Sequence, residues 1–206
     1  MSDAPAATLT DAATDPPAHA AAGPRLPGDL AIWVFILAEM LAFAVFFAAY
    51  AFARAKNVEL FNESQLSLDR TAGLINTVLL ITGSWCVARS VQSAKHDAVP
   101  AATRWMAASM LCGAGFLGVK IVEYAAKFGA GISLSTNTFY MFYISLTFFH
   151  FMHVILGMVI LGILLVKLRQ GAYGSHDVHG LESGAAYWHM VDLLWIVLFP
   201  LVYVMR

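Results

Sequence analysis

The sequence predicts an all-α membrane protein whose chain crosses the bilayer as a bundle of five transmembrane helices. Of its 206 residues, 60% are hydrophobic and only 12% are charged, about half the charged fraction of a soluble domain. The apolar residues lie in five long blocks, and each block is long enough to cross roughly 30 Å of hydrocarbon as a helix. The net charge of −1 offers no basic surface, so we expect no nucleic-acid partner.

Residues 1–27 precede the first apolar block and are rich in Ala, Pro and Thr. The segment has neither a basic start nor an apolar run, which excludes a secretory signal. We interpret it as a disordered cytoplasmic tail, followed by one transmembrane domain over residues 28–206. Cys86 and Cys112 fall inside apolar blocks, where a thiol is usually a small packing residue.

Five spans are predicted along residues 28–206. They cover about residues 29–54, 71–94, 103–128, 137–168 and 184–205. The fourth is longer than the hydrocarbon is thick, so it is expected to tilt or to extend past the interface. The two longer connections, about 55–70 and 169–183, contain the charged residues and turn formers that are typical of loops.

The distribution of basic residues favours a cytoplasmic N-terminus and a periplasmic C-terminus. Arg89, Lys95 and Arg104 lie together in one short connection, which the positive-inside rule assigns to the cytoplasm. Aromatic residues are expected at both membrane interfaces. They are Trp33, Trp85, Trp105 and Trp188 on the cytoplasmic side, and Tyr50, Tyr140 and Tyr203 on the other.

Ionisable side chains inside the spans are the candidate functional residues, because each costs several kcal/mol in hydrocarbon unless it is partnered or hydrated. Glu39 lies near the middle of the first span, and His150 and His153 share one face of the fourth. Asp192 lies nearly as deep in the fifth span, with His189 one turn away. The topology therefore predicts that these groups meet at a similar depth.

A second polar cluster is predicted in the outer half of the membrane. Lys120 and Glu123 are three residues apart on the third span, and Asn76 lies at a comparable depth on the second. All three are expected to contact one another.

The residues alone leave three interpretations of these polar groups open. They can pair across helices, Glu39 with a histidine, Asp192 with His189 and Lys120 with Glu123, which would satisfy buried groups and fix the helix order. They can form a proton or ion relay, which uses intramembrane carboxylates with histidine partners. They can bind a metal or haem, but axial histidines normally come from opposing helices, so we predict no catalytic, cofactor-binding or metal-binding residue.

Five ordered segments carry a family resemblance. They are Gly28–Glu39 with Phe43, Leu74–Leu80 with Gly83 and Ser84, Gly115–Leu117 with Glu123 and Tyr124, Phe149–Val154 with Gly157, and Tyr187–Asp192 with Trp195. Together they resemble subunit III of cytochrome c oxidase and its quinol-oxidase counterparts over nearly all of residues 28–206. The chain departs from the longer family members in starting at their third span, and in having Lys120 where glutamine is common.

The resemblance implies a non-catalytic, non-redox subunit of a haem–copper respiratory oxidoreductase in a bacterial inner membrane. Such a subunit packs against the haem-bearing catalytic subunit and stabilises or modulates it, and it binds no cofactor itself. A structural phospholipid is implied in a cleft near Trp33, Glu39 and His153. The matching polar positions would be structural or lipid-associated; they are Glu39, Asn76, Glu123, His150, His153, His189 and Asp192.

The five-span form, the segment Phe139–Tyr143 and the segment Leu198–Pro200 look like the branch of this family associated with bacterial nitric oxide reductase. We therefore predict a nitric oxide reductase as the complex. Some oxygen-reducing terminal oxidases also have a five-span subunit III, which is the alternative. A proton- or ion-conducting membrane protein and a transient assembly factor are alternatives of another class.

Overall fold

The computed structural model describes residues 30–175 and 177–205, and its long elements are all α-helices. They are α1 (Leu30–Lys56), α2 (Val58–Leu66), α3 (Arg70–Lys95), α4 (Val99–Gly129), α5 (Thr138–Arg169) and α6 (His179–Phe199), which a π-helical turn (Pro200–Val204) continues. All except α2 are long and apolar enough to cross a membrane, with α6 and the π-helical turn counted together. The predicted all-α, five-helix membrane fold is confirmed, while the tail predicted at residues 1–27 lies outside the described part of the chain.

Several helices extend beyond the apolar blocks from which they were predicted. Helix α4 begins at Val99 rather than near residue 103. Pro100 lies in its first turn, where a backbone N–H group would have no partner within the helix, so proline costs no hydrogen bond there. Helix α6 begins at His179 rather than near residue 184. The first turn of α6 contains polar residues because α6 with the π-helical turn has 26 residues and exceeds the hydrocarbon thickness. The chain caps two other helices with Asp69 and Asn137, whose side chains accept from backbone N–H groups.

Helix α2 occupies the connection that the sequence predicted to be a loop. Its buried Phe61 packs edge-on against Tyr50, with ring centroids 5.3 Å apart. Gln65 donates a hydrogen bond from Nε2 to the carbonyl oxygen of Val202 at 3.0 Å. The helix therefore ties the first half of the chain to the end of the last span.

The bundle is built around the antiparallel pair α3 and α4, with α5 against α4 and α6 against α3 and α5. Helix α1 packs on the outside, against α6 and α5. Trp188 fills a slot between two glycines of neighbouring helices, because a Cβ atom on Gly113 or on Gly157 would lie only 2.9 Å from its ring.

Four of the predicted interface aromatics lie inside the bundle instead. Trp188 is 1% exposed, Tyr140 is 7% exposed, and Tyr50 and Tyr203 are fully buried. The hydroxyl groups of the three tyrosines have protein partners, Gln65 for Tyr50, Ser67 for Tyr140 and Glu123 for Tyr203. The polar atom of a Tyr or Trp ring can find a hydrogen-bond partner in the protein interior as well as at the membrane interface. The position of these residues near helix ends therefore did not identify them as buried.

Candidate functional site

Glu39 and His153 join α1 to α5. Glu39 Oε2 lies 3.0 Å from His153 Nε2, and His153 Nδ1 lies 2.8 Å from the carbonyl oxygen of Phe149. Because a carbonyl oxygen only accepts, Nδ1 carries a proton. Nε2 then either accepts from a protonated Glu39 or carries a second proton beside the carboxylate, so the pair shares one proton. The Glu39 side chain is 22% exposed, which places the pair at the edge of the bundle.

His150 does not join this pair, although it lies on the same face of α5. Its ring is fully buried and packs against the rings of Phe43, Phe116 and Trp195, with centroid distances of 6.4, 5.6 and 5.2 Å. Neither ring nitrogen has a hydrogen-bond partner among the residues that the structure describes. His150 therefore contributes to aromatic packing and does not extend the Glu39–His153 pair.

His189 and Asp192 both lie beside Ser84. The Ser84 hydroxyl is hydrogen-bonded to His189 Nδ1 at 2.5 Å, a contact that we call the Ser84 bridge. The Asp192 carboxylate lies near both groups and interacts with them electrostatically. Asp192 is buried and His189 is exposed on the surface of α6. The bridge joins α3 to α6 and is separate from the pair on α1 and α5.

Lys120 and Glu123 form a buried ion pair on α4, with a distance of 3.1 Å from Lys120 Nζ to Glu123 Oε2. Two tyrosines complete what we call the Lys120 cluster: Tyr143 and Tyr203 donate to Glu123 Oε1 at 2.6 and 2.7 Å. Tyr203 also lies 2.9 Å from Lys120 Nζ. A buried ion pair is tolerated only when further hydrogen bonds satisfy it, and this carboxylate receives three. The Lys120 cluster is thus neutral overall and closed by its own members.

Asn76 was predicted to belong to this group, but it makes no hydrogen bond with Lys120 or Glu123. It is fully buried on α3, and neither its amide oxygen nor its amide nitrogen has a partner in the described part of the chain. Its neighbour Thr77 instead accepts from Trp195 Nε1 at 3.0 Å.

Aromatic rings surround the charge of Lys120. Its Nζ lies 5.0 to 5.6 Å from four ring centroids, those of Tyr124, Tyr143, Trp195 and Tyr203. Each contact adds a modest cation–π attraction. Together they help to explain how a lysine is accommodated inside a membrane bundle.

A groove of about 400 Å³ runs between α1 and α6. Trp33 and His189 line it together with apolar side chains such as Ile36 and Leu193, and Glu182 lies at its wall. Glu39 and His153, which were predicted beside the same cleft, are not among its lining residues. The groove is long and apolar enough to hold an acyl chain, with polar groups near one end.

The sequence did not single out Ser84, Tyr143 and Tyr203 as polar partners. Spacing along the last span gives no signal for Tyr203, because it lies in the π-helical turn Pro200–Val204, where the α-helical period does not hold. Over residues 30–175 and 177–205, no group of three or more His, Cys, Asp and Glu side chains is placed to hold a metal ion. The chemistry that these residues support is charge pairing and proton sharing within each pair.

Comparison with known proteins gives a consistent result over nearly the whole chain. Residues 25–206 match the family model described as cytochrome c oxidase subunit III. The chain is 33% identical over 177 residues to cytochrome c oxidase subunit 3 of Thermostichus vulcanus, covering 85% of this chain and 86% of that protein. It is 26% identical over 176 residues to quinol oxidase subunit 3 of Bacillus subtilis, covering 85% and 86%. It is also 32% identical over 179 residues to heme-copper oxidase subunit I+III of Aeropyrum pernix, covering 84% of this chain and 22% of that longer protein.

Proposed function

The chain belongs to the cytochrome c oxidase subunit III family, and on that premise we propose that it is a non-catalytic, non-redox subunit of a haem–copper respiratory oxidoreductase. The observation that carries the proposal is the family match over residues 25–206, which includes the five membrane-spanning helices of the described part of the chain. In this proposal the chemistry takes place in another polypeptide, and this chain binds and stabilises or modulates it.

The partner in this proposal is the haem-bearing catalytic subunit. Support comes from the Aeropyrum pernix relative, which is described as subunit I+III and so holds both regions in one polypeptide. Because the two regions of that relative form one polypeptide, they must lie in the same membrane assembly. Helix α1 offers a large surface for such contact, because Leu37, Leu41 and Val45 are each more than 60% exposed.

The polar pairs would serve this function as interhelical links. The Glu39–His153 pair fixes α1 on α5, the Ser84 bridge fixes α3 on α6, and the Lys120 cluster fixes α4 to α5 and α6. No hydrogen bond joins these groups to one another among the described residues, which favours separate links over a continuous relay.

A structural phospholipid is the ligand that we propose for the groove between α1 and α6. Its lining is apolar apart from Trp33, Glu182 and His189. Glu182 pairs with Lys95 at 2.6 Å, which places a cation near the same end. This arrangement suits an acyl chain within the groove and a headgroup at its polar end.

The finer assignment is that the complex reduces nitric oxide. It is supported by the resemblance of Phe139–Tyr143 and Leu198–Pro200 to the branch associated with nitric oxide reductase. The competing assignment, an oxygen-reducing terminal oxidase, is favoured by the descriptions of the Thermostichus and Bacillus relatives as oxidase subunits. The gas that the purified complex consumes decides between them: nitric oxide consumption supports the first assignment and oxygen consumption alone rejects it.

We also propose that the N-terminus lies in the cytoplasm, with residues 1–27 as a disordered tail, and the C-terminus in the periplasm. Arg89, Lys95 and Arg104 supply the supporting charge asymmetry. A protease added to sealed vesicles tests the orientation, since inside-out vesicles alone should lose an epitope placed within the tail.

The central test is co-purification of the tagged full-length chain from its own membranes in mild detergent. A haem-bearing subunit should accompany it in stoichiometric amount, and Glu39→Gln should weaken the association because α1 loses the carboxyl group that pairs with His153 on α5. Glu59→Gln, at an exposed position of α2, is the matched control and should change nothing.

Three results would overturn the proposal. Stoichiometric haem on the chain after the partner is removed would contradict a non-redox role. Proton or ion flux through the reconstituted chain alone, abolished by Glu39→Gln, would establish a conducting protein. Association only with an immature partner would establish an assembly factor.

A further inference from the structure

Two tryptophans form an aromatic pair on the hairpin of α3 and α4, away from the polar groups described above. The rings of Trp85 and Trp105 meet edge to face, with centroids 5.1 Å apart and an interplanar angle of 81°. Trp85 is 55% exposed, so the pair lies on the outer surface of the bundle. Exposed tryptophans near helix ends are typical of the interface between headgroups and hydrocarbon.

Two arginines accompany this pair. The guanidinium carbon of Arg89 lies 6.0 Å from the ring centroid of Trp85 and 5.8 Å from that of Trp105. Arg104 directly precedes Trp105 and is exposed. Within residues 30–175 and 177–205, neither arginine forms an ion pair with a carboxylate, whereas Lys95 at the same end of the bundle is paired with Glu182. The hydrogen bond from Arg89 to Gln92 at 3.2 Å leaves most of its donors available.

The depth of these arginines matches that of lipid phosphates. Arg89 lies six residues before the end of α3, and Arg104 lies five residues after the start of α4. At 1.5 Å per residue, both are about 8–9 Å from the helix ends. Helices of 26 and 31 residues are about 39 and 46 Å long and exceed a hydrocarbon layer of about 30 Å. Both guanidinium groups therefore lie near the boundary of the hydrocarbon.

A groove of about 350 Å³ lies on α4 beside this pair. It is lined by Arg104, Trp105 and Ala108, and Ala108 lies one turn further from the start of the helix. A cationic rim above an apolar groove fits an amphiphile with an anionic head and an acyl tail. Neither an inorganic anion nor an acidic side chain of a partner would make use of the groove.

We propose that Arg89, held against Trp85 and Trp105, and Arg104, at the edge of the groove, bind the phosphate headgroup of an anionic phospholipid whose acyl chain lies along α4. Guanidinium groups bind phosphate oxygens in a bidentate manner. A zwitterionic lipid would bring its own cation beside the two arginines, so selectivity for a net anionic headgroup follows. This site lies on α3 and α4 and is independent of the groove between α1 and α6.

The experiment measures retained lipid on the intact full-length chain, purified with its complex in nanodiscs containing phosphatidylglycerol and phosphatidylcholine. After transfer to detergent, native mass spectrometry should detect retained phosphatidylglycerol in preference to phosphatidylcholine. Each basic residue near an anionic surface contributes roughly fivefold in affinity, so the double variant Arg89→Gln with Arg104→Gln should retain about 25-fold less. The control is Arg169→Gln, which removes one basic side chain at the end of α5 on the same side of the membrane and should not affect retention.

Equal retention by the double variant and by the Arg169 variant would overturn the proposal. Equal retention of the two lipids, or displacement of phosphatidylglycerol by millimolar inorganic phosphate, would overturn it too. If the double variant does not fold, Arg89→Lys with Arg104→Lys keeps both charges but loses bidentate geometry, and intermediate retention is then expected. Unchanged retention in that folded lysine variant would refute the role assigned to the guanidinium groups.

Discussion

Replacing Glu123 with glutamine should destabilise the bundle more than any other single change to its polar groups. Lys120 is fully buried and would have to keep an unpaired charge or release its proton, and both are costly. Tyr143 and Tyr203 would also lose an ionised acceptor at 2.6 and 2.7 Å. Breaking one partner of a buried ion pair costs about 3–5 kcal/mol. For a domain of this size the thermal midpoint should fall by about 10 °C.

The assay is thermal unfolding of the full-length chain in one detergent at one scan rate, followed by circular dichroism. Lys120→Met should also destabilise, because it leaves the carboxylate unpaired. The double variant, Lys120→Met with Glu123→Gln, removes both charges at similar volume and should be more stable than either single variant. A double variant whose loss equals the sum of the single losses would refute the ion-pair argument. Glu59→Gln on exposed α2 is the control and should unfold with the parent chain.

Two packing predictions follow from the same structure. Gly157→Ala should lower the thermal midpoint, because its Cβ would lie 2.9 Å from the Trp188 ring. In the control Gly118→Ala the new Cβ has no neighbouring atom within 4 Å, so the midpoint should stay the same or rise. Equal midpoints for the two variants would contradict tight packing of Trp188 against Gly157. Gln65→Met should leave the buried carbonyl group of Val202 without its donor, at a cost of about 1–3 kcal/mol, and should accelerate amide hydrogen exchange over residues 201–205. Unchanged exchange there would show that α2 does not hold the end of the last span.

The membrane-spanning helices could be predicted from the sequence because hydrocarbon permits few other ways to satisfy a backbone. Helix α2 could not, since Glu59, Asn62 and Glu63 give Val58–Leu66 the composition of a loop. Its helicity depends on burying Phe61 against Tyr50 and Phe139, which are distant along the chain. Tertiary packing of this kind is invisible to local propensity.

The candidate site was predictable in its residues and in part in its pairing, since the structure contains the predicted pairs of Lys120 with Glu123 and of Glu39 with a histidine. His150 and His153 share a face of α5, and the rotation of that helix decides which one reaches Glu39. The hydrogen-bond partner of His189 is Ser84, which lies on another helix. A small hydroxyl side chain in an apolar span gives no signal of this role, because serine is also common at helix contacts in membranes.

The composition of the Lys120 cluster has a consequence for biosynthesis. Tyr203 lies 80 residues after Glu123, so a ribosome that adds about 5–20 residues per second completes it roughly 4–16 s later. During that interval the third span is already inserted, but the Glu123 carboxylate lacks the hydrogen bond that Tyr203 donates in the finished bundle. Polypeptides that end before Tyr203 would keep this deficit permanently, which makes them natural substrates for membrane quality-control proteases.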